Sequence, residues 1–587
     1  MDNADVAAIL EEIAVLLELK GENPFKTRAY VNGARRIETL STPVRELVEN
    51  EQLATLKGFG DALQKKVTEL VRHGRLKYHE ELKASIAPGL IEMLELPGLG
   101  PKKVKVLHDT LGILSIKELE EACQEDRVAG IKGFGIKTQL KILEGIRFRE
   151  KYASHHRLDV ALATMHPILE ALRSHPEVTR CSEAGSARRR KEILHDIDFL
   201  VSSRQPTAVI DFFTTLESVI SVLAKGNTKA SIMLTGGLQA DLRVVEDHAF
   251  PFALAYFTGS KEHNVEMRRR AIARGMRLNE YGLYRSKEET QDPALGIPCP
   301  TEEDIFKQLD LAYIPPELRE DHGEFQAAET GRMPRLVEWC EMKGSLHNHS
   351  DWSDGRESLE DIIANCVELG LGYWAITDHS RASFQANGLS PSRLEKQIST
   401  IADLNKDLKQ KGISFRLLTG TEVDILSDGS LDFDDALLAK LDVVVASIHQ
   451  GFSQSREQLS KRLIRAAENP YVHMLGHPSG RLLLERDAYP LDHVAVIDAC
   501  ASTGTWIELN ANPYRLDMDW RWWKLARDKG VKCVINCDAH HADHAGFLRL
   551  GAEHARKGWL RGEDILNTMP VDTLIQELSR KRNLPRN

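Results

Sequence analysis

Apolar residues at Val6, Ile9, Leu10, Ile13, Leu16 and Leu17, with Glu11, Glu12 and Glu18 between them, form a stripe of helical period at the start of the chain. The first element is therefore an amphipathic helix facing a helical core. A turn at Gly21-Glu22-Asn23-Pro24 leads into a second helix carrying Lys26, Arg28 and Tyr30, and helical patterning continues to about residue 150. From about residue 157 short apolar strands alternate with helices, as in Asp196-Ile197-Asp198-Phe199-Leu200-Val201 and Ala240-Asp241-Leu242-Arg243-Val244-Val245. After about residue 340 the alternation becomes regular. Strands of four to seven residues each end in a residue that can bind metal, and helices lie between them. That order predicts a parallel β/α barrel with its working residues at the C-terminal strand ends.

Side chains two apart on a strand share a face, so Asp196 and Asp198 project together while Ile197 points away. Two carboxylates so close repel unless a cation lies between them, and Mg²⁺ suits one or two carboxylates plus substrate phosphates. A lone D-x-D is as readily a strand with two solvated aspartates. Here, however, Asp241 offers a third carboxylate, and the turn Gly185-Ser186 with Arg188, Arg189, Arg190 and Lys191 brings positive charge to the approach.

Three N-terminal segments repeat at intervals of about forty residues: Leu56-Lys57-Gly58-Phe59-Gly60, Leu96-Pro97-Gly98-Leu99-Gly100 and Ile131-Lys132-Gly133-Phe134-Gly135. Lys65, Lys66, Lys102, Lys103 and Lys137 follow these turns. Glycine there permits a tight turn with exposed backbone N–H groups at a helix start, where phosphate binds. A glycine-capped connector explains one copy equally well; three copies favour sequence-independent contact with the DNA backbone.

Composition adds boundaries. A chain of 587 residues divides into several domains, and its 42% apolar and 28% charged content is ordinary for a soluble protein. The net charge of −10 excludes a globally basic nucleic-acid coat but not local basic surfaces. The acidic, amphipathic N-terminus does not read as a signal peptide, no apolar run is long enough for a membrane span, and the eight cysteines lack paired spacing. The expectation is a reduced, cytoplasmic monomer without membrane attachment.

The ordered motifs resemble a bacterial or archaeal family X DNA polymerase: Gly185-Ser186-x-Arg188-Arg189, Asp196-x-Asp198, Asp241-Leu242-Arg243, Tyr256-Phe257-Thr258-Gly259-Ser260, then Asn264 and Leu278-Asn279-Glu280-Tyr281-Gly282. That resemblance implies Asp196 and Asp198 as ligands of both palm cations and Asp241 as ligand of the one that activates the primer 3′-hydroxyl. It implies Gly185, Ser186 and Arg189 at the incoming triphosphate, Tyr256, Phe257 and Gly259 beside the sugar, and Asn264 at the base or minor groove. Arg243 matches a residue that controls access to the aspartates. His195 departs from the pattern, standing where many relatives carry glycine. In the N-terminal domain the repeats resemble helix-hairpin-helix motifs, placing Gly58, Gly60, Gly98, Gly100, Gly133 and Gly135 on DNA. Lys26 and Tyr30 align with contacts to a 5′-phosphate. Lys66 falls where some members carry a Schiff-base lysine, and its simpler role is to meet DNA.

The C-terminal part resembles a polymerase and histidinol phosphatase (PHP) domain. The resemblance implies a trinuclear site of His347, His349, Asp354, His379, Glu422, His449, His477, Asp538 and His540. It implies two or three Mn²⁺, Zn²⁺ or Fe ions there, and Mg²⁺ or Mn²⁺ at the palm.

The expected architecture is multidomain: a helical lyase-like, 5′-phosphate-binding domain with a helix-hairpin-helix (1–82), fingers with two more (83–150), an α+β nucleotidyltransferase palm (151–245), a thumb (246–317), a linker (318–340) and a PHP-type β/α barrel (341–587). The expected function is DNA-directed synthesis across short gaps in base excision repair, with 3′–5′ exonuclease and abasic-site cleavage from the PHP domain. Its partners would be gapped or primer-template DNA bearing a 5′-phosphate, and dNTPs. The alternatives are a metal-dependent DNA phosphoesterase whose N-terminal half only binds DNA, and a scaffold with no metal at all.

Overall fold

The computed structural model describes residues 1, 3–38, 40, 42–56, 59–96, 98–285 and 295–582, and divides into two compact units, Met1–Ala153 and Ser154–Asn587.

The first unit is helical. The stripe read at the N-terminus is buried in the helix Asn3–Lys20, with Val6, Leu10, Ile13 and Leu17 fully covered. One apolar cluster runs from Val6 through Val67, Val104 and Leu119 to Ile146, so residues 1–82 and 83–150 share a core. The repeated turns lie where helices begin. Gly60 precedes Asp61–His73, Gly100 precedes Pro101–Leu111, and Gly135 opens Gly135–Tyr152. Their apolar residues Phe59, Leu99 and Phe134 are buried anchors. Gly98 and Gly133, at φ of 81° and 95°, occupy backbone space that a side chain would strain. The expected DNA contact Gly58 lies outside the described residues.

The second unit opens with a five-stranded sheet in the order Arg180–Ala184, Asp196–Ser202, Gln239–Val245, Lys229–Leu234, Val219–Lys225. Asp196–Ser202 and Gln239–Val245 are parallel, and the other neighbours are antiparallel. Ile197 and Phe199 are buried in one core with Leu169 of the helix Leu158–Ser174 and Phe213 of Pro206–Thr214. Period-two geometry leaves Asp196 and Asp198 on the opposite face.

The thumb core joins Phe252 of Phe250–Thr258, Met267 of Lys261–Ala273 and Phe306 of Glu302–Gln308. It also takes in Leu318, Phe325, Leu336 and Trp559. Much of the stretch expected to be a linker, 318–340, is therefore packed. Arg319 is fully buried and donates to Glu302 (2.7 Å) and to Ile314 O (2.9 Å).

Seven parallel strands in sequence order, Gly344–Ser345, Tyr373–Ile376, Arg416–Asp424, Val443–Ser447, Met474–Leu475, Trp506–Asn510 and Cys533–Asn536, form the C-terminal barrel. Its two ends meet just beyond the first and last strands, where His349 N donates to Ala539 O (2.8 Å) and Asp538 N to His347 O (3.0 Å). Fully burying each apolar side chain beneath the surrounding helices stabilises the barrel by about 1.5–3 kcal/mol. Among the described residues no helix is long and apolar enough to cross a membrane.

Candidate active sites

In the palm, the parallel register sets Asp198 opposite Asp241 and Asp196 opposite Gln239. Ser231, on the next strand and paired with Asp241, donates its hydroxyl to that carboxylate, and Gln239 Nε2 adds a bond to Asp241 Oδ2 at 3.2 Å. Burial first, and then the Asp196 and Asp241 charges, push the Asp198 carboxyl up to about 7. Burial and Asp241 raise Asp196 as well. The site thus gathers like charges that its own cations, Arg189 and Lys229 among them, do not balance. That is the condition a divalent ion relieves, and the oxygen-rich donor set suits Mg²⁺ or Mn²⁺.

Gly185 has a specific reason to be glycine. Its φ is 62°, and a Cβ there would stand 1.9 Å from Asp198 Oδ2, inside the carboxylate. The helical turn Gly185–Arg188 carries Ser186 at the end of the strand Arg180–Ala184.

The basic run that follows is largely occupied by protein partners. Arg188 bridges to Glu302 (2.5 Å) and Thr258 Oγ1 (2.6 Å). Arg190 binds Glu183 (2.9 Å) and Glu553 (2.8 Å). Arg189 donates Nε to Glu320 (3.0 Å) and Nη1 to Thr258 O, while its charge still reaches Asp198. Glu320 is a hub: Lys191 (3.7 Å) and the buried Lys557 (2.7 Å) also face it, and these cations outweigh burial to hold it down to about 2. Lys557 ends the barrel helix Phe547–Lys557 and also donates to Arg189 O at 3.0 Å. The barrel therefore braces the loop that bears Arg189.

Tyr256 and Phe257 end a thumb helix, with ring centroids 5.1 Å apart at near right angles. The Arg243 guanidinium lies 4.6 Å from the Phe257 ring centroid, within cation–π range. Gly259 (φ 69°) follows them and leaves room for Arg189 Nη1, which a Cβ would approach to 3.2 Å. Asn264, expected at a base, spends one amide hydrogen on Tyr256 O at 2.7 Å. The exposed His195 lies against His155, with ring centroids 3.6 Å apart and the rings tilted by 47°.

In the N-terminal unit Lys66 donates to Tyr30 OH at 2.6 Å and lies 3.9 Å from the Tyr78 ring centroid. Lys26 lies over the same Tyr78 ring at 5.7 Å. Burial, helped by Lys26, lowers the Lys66 pKa, and burial lifts the Tyr30 phenol far above its usual value.

At the barrel rim, nine side chains from successive strand ends converge. Glu422 is the centre. Its Oε1 lies 2.9 Å from His477 Nε2, 3.2 Å from His449 Nε2 and 3.4 Å from His347 Nε2, and its Oε2 lies 2.8 Å from His379 Nδ1. Asp538 Oδ1 lies 3.2 Å from His349 Nε2, and Asp354 Oδ2 lies 3.5 Å from His540 Nε2 and 3.6 Å from His379 Nε2. The ligand atoms fall into four overlapping groups, each spanning no more than 4.8 Å.

Buried ring nitrogens His347 Nε2, His349 Nδ1, His379 Nδ1 and His477 Nδ1, and the oxygen Glu422 Oε2, make no hydrogen bond. The 2.8 Å approach of His379 to Glu422 is thus close without hydrogen-bond geometry, as when lone pairs of both face a common point. Mixed imidazole and carboxylate donors fit Mn²⁺, Zn²⁺ or Fe²⁺. His477 (φ 25°) and Asp538 (φ 50°) also sit in strained backbone, which clusters at functional sites.

The electrostatics run opposite to the palm. Burial alone would raise Glu422, yet His449, His347 and His379 hold it well below the carboxylate range. His540, His349 and His379 overcome burial to keep Asp354 down to about 2.

Sequence reading missed the residues behind these. Glu508 accepts from His347 Nδ1 at 2.7 Å, Asp424 from His449 Nδ1 at 3.0 Å, and Asn510 donates to Asp538 Oδ2 at 3.1 Å. Such partners fix the ring orientation of metal-binding histidines. The signal was present in Trp506-Ile507-Glu508-Leu509-Asn510, whose alternation puts Glu508 and Asn510 on one face.

Comparison with known proteins follows the same division. Family models match residues 1–76 as a helix-hairpin-helix domain, 90–147 as a SAM-like helix-hairpin-helix tandem, 253–320 as a DNA polymerase beta thumb and 345–577 as a PHP domain. A probable phosphatase of Thermoanaerobacter sp. (strain X514) is 31% identical over 173 residues, 28% of this chain and 68% of its own. DNA polymerase lambda of Rattus norvegicus is 24% identical over 341 residues, 54% of this chain and 56% of its own. The DNA polymerase/3′-5′ exonuclease PolX of Bacillus subtilis (strain 168) is 37% identical over 582 residues, 99% of this chain and 100% of its own. With that likeness along its whole length and a thumb and PHP domain matched in order, the chain belongs to the family X DNA polymerases that carry a C-terminal PHP domain.

Proposed function

We propose that this chain fills short gaps in DNA from its palm and removes nucleotides from 3′ ends at its barrel, as a bifunctional repair enzyme. The observation that carries the reading is the presence, in one unit, of two separate carboxylate centres with opposite electrostatics: an unbalanced aspartate trio and a histidine-neutralised cluster.

Asp196, Asp198 and Asp241 would hold Mg²⁺ or Mn²⁺, and Ser231 fixes the orientation of Asp241 through its hydroxyl. Bound cations would supply charge neutralisation to the attacking and leaving oxygens of an in-line displacement. Ser186 and the free edge of Arg189 would take the triphosphate of an incoming dNTP, since a guanidinium fork matches phosphate oxygens. Thr258 O and Glu320 keep that guanidinium aimed. Tyr256 and Phe257 would present their faces to the sugar, with Gly259 leaving clearance, and Asn264 has one amide hydrogen left for the base or minor groove. Lys26, Tyr30 and Lys66 would bind the gap's 5′-phosphate, and the turns at Gly60, Gly98, Gly100, Gly133 and Gly135 the DNA backbone.

At the barrel, His347, His349, Asp354, His379, Glu422, His449, His477, Asp538 and His540 would hold two or three Mn²⁺, Zn²⁺ or Fe ions. Glu508 and Asp424 hold protons on the outer nitrogens of His347 and His449, leaving the inner nitrogens to face the centre. Removal of a 3′ nucleotide and cleavage at an abasic site both break one phosphodiester, so one centre serves both.

The test is a paired assay on a 5′-phosphorylated, one-nucleotide gap with Mg²⁺ and Mn²⁺ varied. Extension should vanish in Asp196→Ala/Asp198→Ala while 3′ degradation continues. Loss of both activities in that variant would contradict two independent sites.

A further inference from the structure

The cavity over the barrel cluster holds about 650 Å³, within the roughly 300–1,000 Å³ that takes a drug-sized ligand, so a terminal nucleotide fits. Besides the candidate ligands it is lined by Arg515, Gln385, Gln450 and Phe384. Phe384 is 87% exposed, the most exposed large apolar side chain among the described residues. Nothing in the packing of the chain accounts for it.

The loop that presents Phe384 is anchored. Ala382 N donates to Asp432 Oδ2 (2.7 Å), Gly388 N to Ser383 O (3.2 Å) and Leu389 N to His379 O (2.8 Å), while Asn387 Nδ2 reaches Trp352 O (3.1 Å). Ser383, next to Phe384, donates Oγ to Asp424 Oδ2 at 2.7 Å, and Asp424 orients His449. The backbone that carries the ring is therefore tied to the metal-type cluster. Arg515, in the same lining, has its Nε 3.4 Å from Asp538 Oδ2, a cation beside the cluster that suits a phosphate.

We propose that Phe384 is the stacking platform for the base of the 3′-terminal nucleotide, with Arg515 receiving its phosphate. Stacking on an aromatic tolerates every base, which suits an end-trimming activity. The inference rests on the exonuclease reading given above.

The experiment compares wild type, Phe384→Ala and Phe384→Trp on two single-stranded oligonucleotides, one ending in a normal nucleotide and one whose 3′-terminal residue is a base-free tetrahydrofuran. A base–aromatic contact contributes about 1–3 kcal/mol, or about 5- to 150-fold. Phe384→Ala should raise KM by that factor on the normal end with kcat nearly unchanged. Phe384→Trp should restore it, and on the base-free end wild type and Phe384→Ala should be equal. Unchanged KM in Phe384→Ala, or an equal loss on both substrates, overturns the stacking role while leaving the exonuclease reading intact. Failure of wild type to degrade either oligonucleotide with any of Mn²⁺, Zn²⁺, Fe²⁺ or Mg²⁺ overturns the exonuclease reading and this inference with it. Because the ring is exposed, the Ala variant should keep the wild-type Tm.

Discussion

The palm and the barrel rim both concentrate carboxylates at strand ends, yet the chain treats them in opposite ways. In the palm, Asp198 is pushed up to about 7 by burial first and then by the charges of Asp196 and Asp241. At the rim, Glu422 is buried more deeply and still stays well below the usual carboxylate range, because imidazoles surround it. A site that carries its own counter-charges can be organised before any ion arrives. One whose acids outweigh its own cations stays poised until substrate brings more with it, as Mg²⁺ sites shared with nucleotide phosphates do. The difference fits a division between a standing nuclease and a polymerase that assembles on its substrate.

The largest expected effect separates the two regions by activity. Glu422→Gln should lower 3′ degradation about 1,000-fold, the equivalent of about 4 kcal/mol, with gap extension close to wild type. Asp198→Asn should do the converse. A shared loss in either variant would dissolve the comparison.

Stability in a chelator should show the contrast with opposite signs. The folded Asp198 carboxyl ionises near 7 against about 3.9 unfolded, so its contribution to stability falls as pH rises from about 4 through 7. Asp198→Asn should therefore be more stable than wild type by about 2–4 kcal/mol at pH 8, the gain shrinking toward pH 4 and on adding Mg²⁺. Glu422→Gln, which strips the counter-charge from buried imidazoles, should instead lose about 3–5 kcal/mol. Denaturant unfolding at pH 8 and pH 5 reads both, and the same sign in both variants would break the account.

The supporting shells sharpen the distinction further. Glu508→Gln weakens the charged partner that orients His347, so metal affinity at the rim should fall about 10- to 100-fold by calorimetry. Ser231→Ala removes one hydrogen bond to Asp241, worth about 1 kcal/mol, and should slow extension about 5-fold in single-turnover kinetics, leaving degradation unchanged.

The sequence was most readable where chemistry coincides with an element boundary. His379, His449 and His477 each stand two or three residues past a short apolar strand, so the barrel and the cluster could be read together. Glu508 was not, since it lies in mid-strand among apolar neighbours and its partner His347 is 161 residues away. The same distance hid the work of the arginine run. Locally it reads as a phosphate-binding approach, but Arg190 meets Glu553 across 363 residues and Arg188 meets Glu302 across 114. Gly323 and Gly331 do punctuate the chain as turns. Within 318–340, Leu318, Phe325 and Leu336 supply single anchors to the thumb core without a period long enough to recognise.

The rim should be organised in advance and the palm on demand. Mn²⁺ titration followed by electron paramagnetic resonance tests it directly, using wild type, Asp198→Asn and Glu422→Gln, each with and without gapped DNA and a non-hydrolysable nucleotide. Without nucleotide, tight sites should be present in wild type and Asp198→Asn and lost in Glu422→Gln; adding DNA and nucleotide should create further sites that Asp198→Asn lacks. Tight, nucleotide-independent sites that disappear with Asp198 and survive loss of Glu422 would contradict the account.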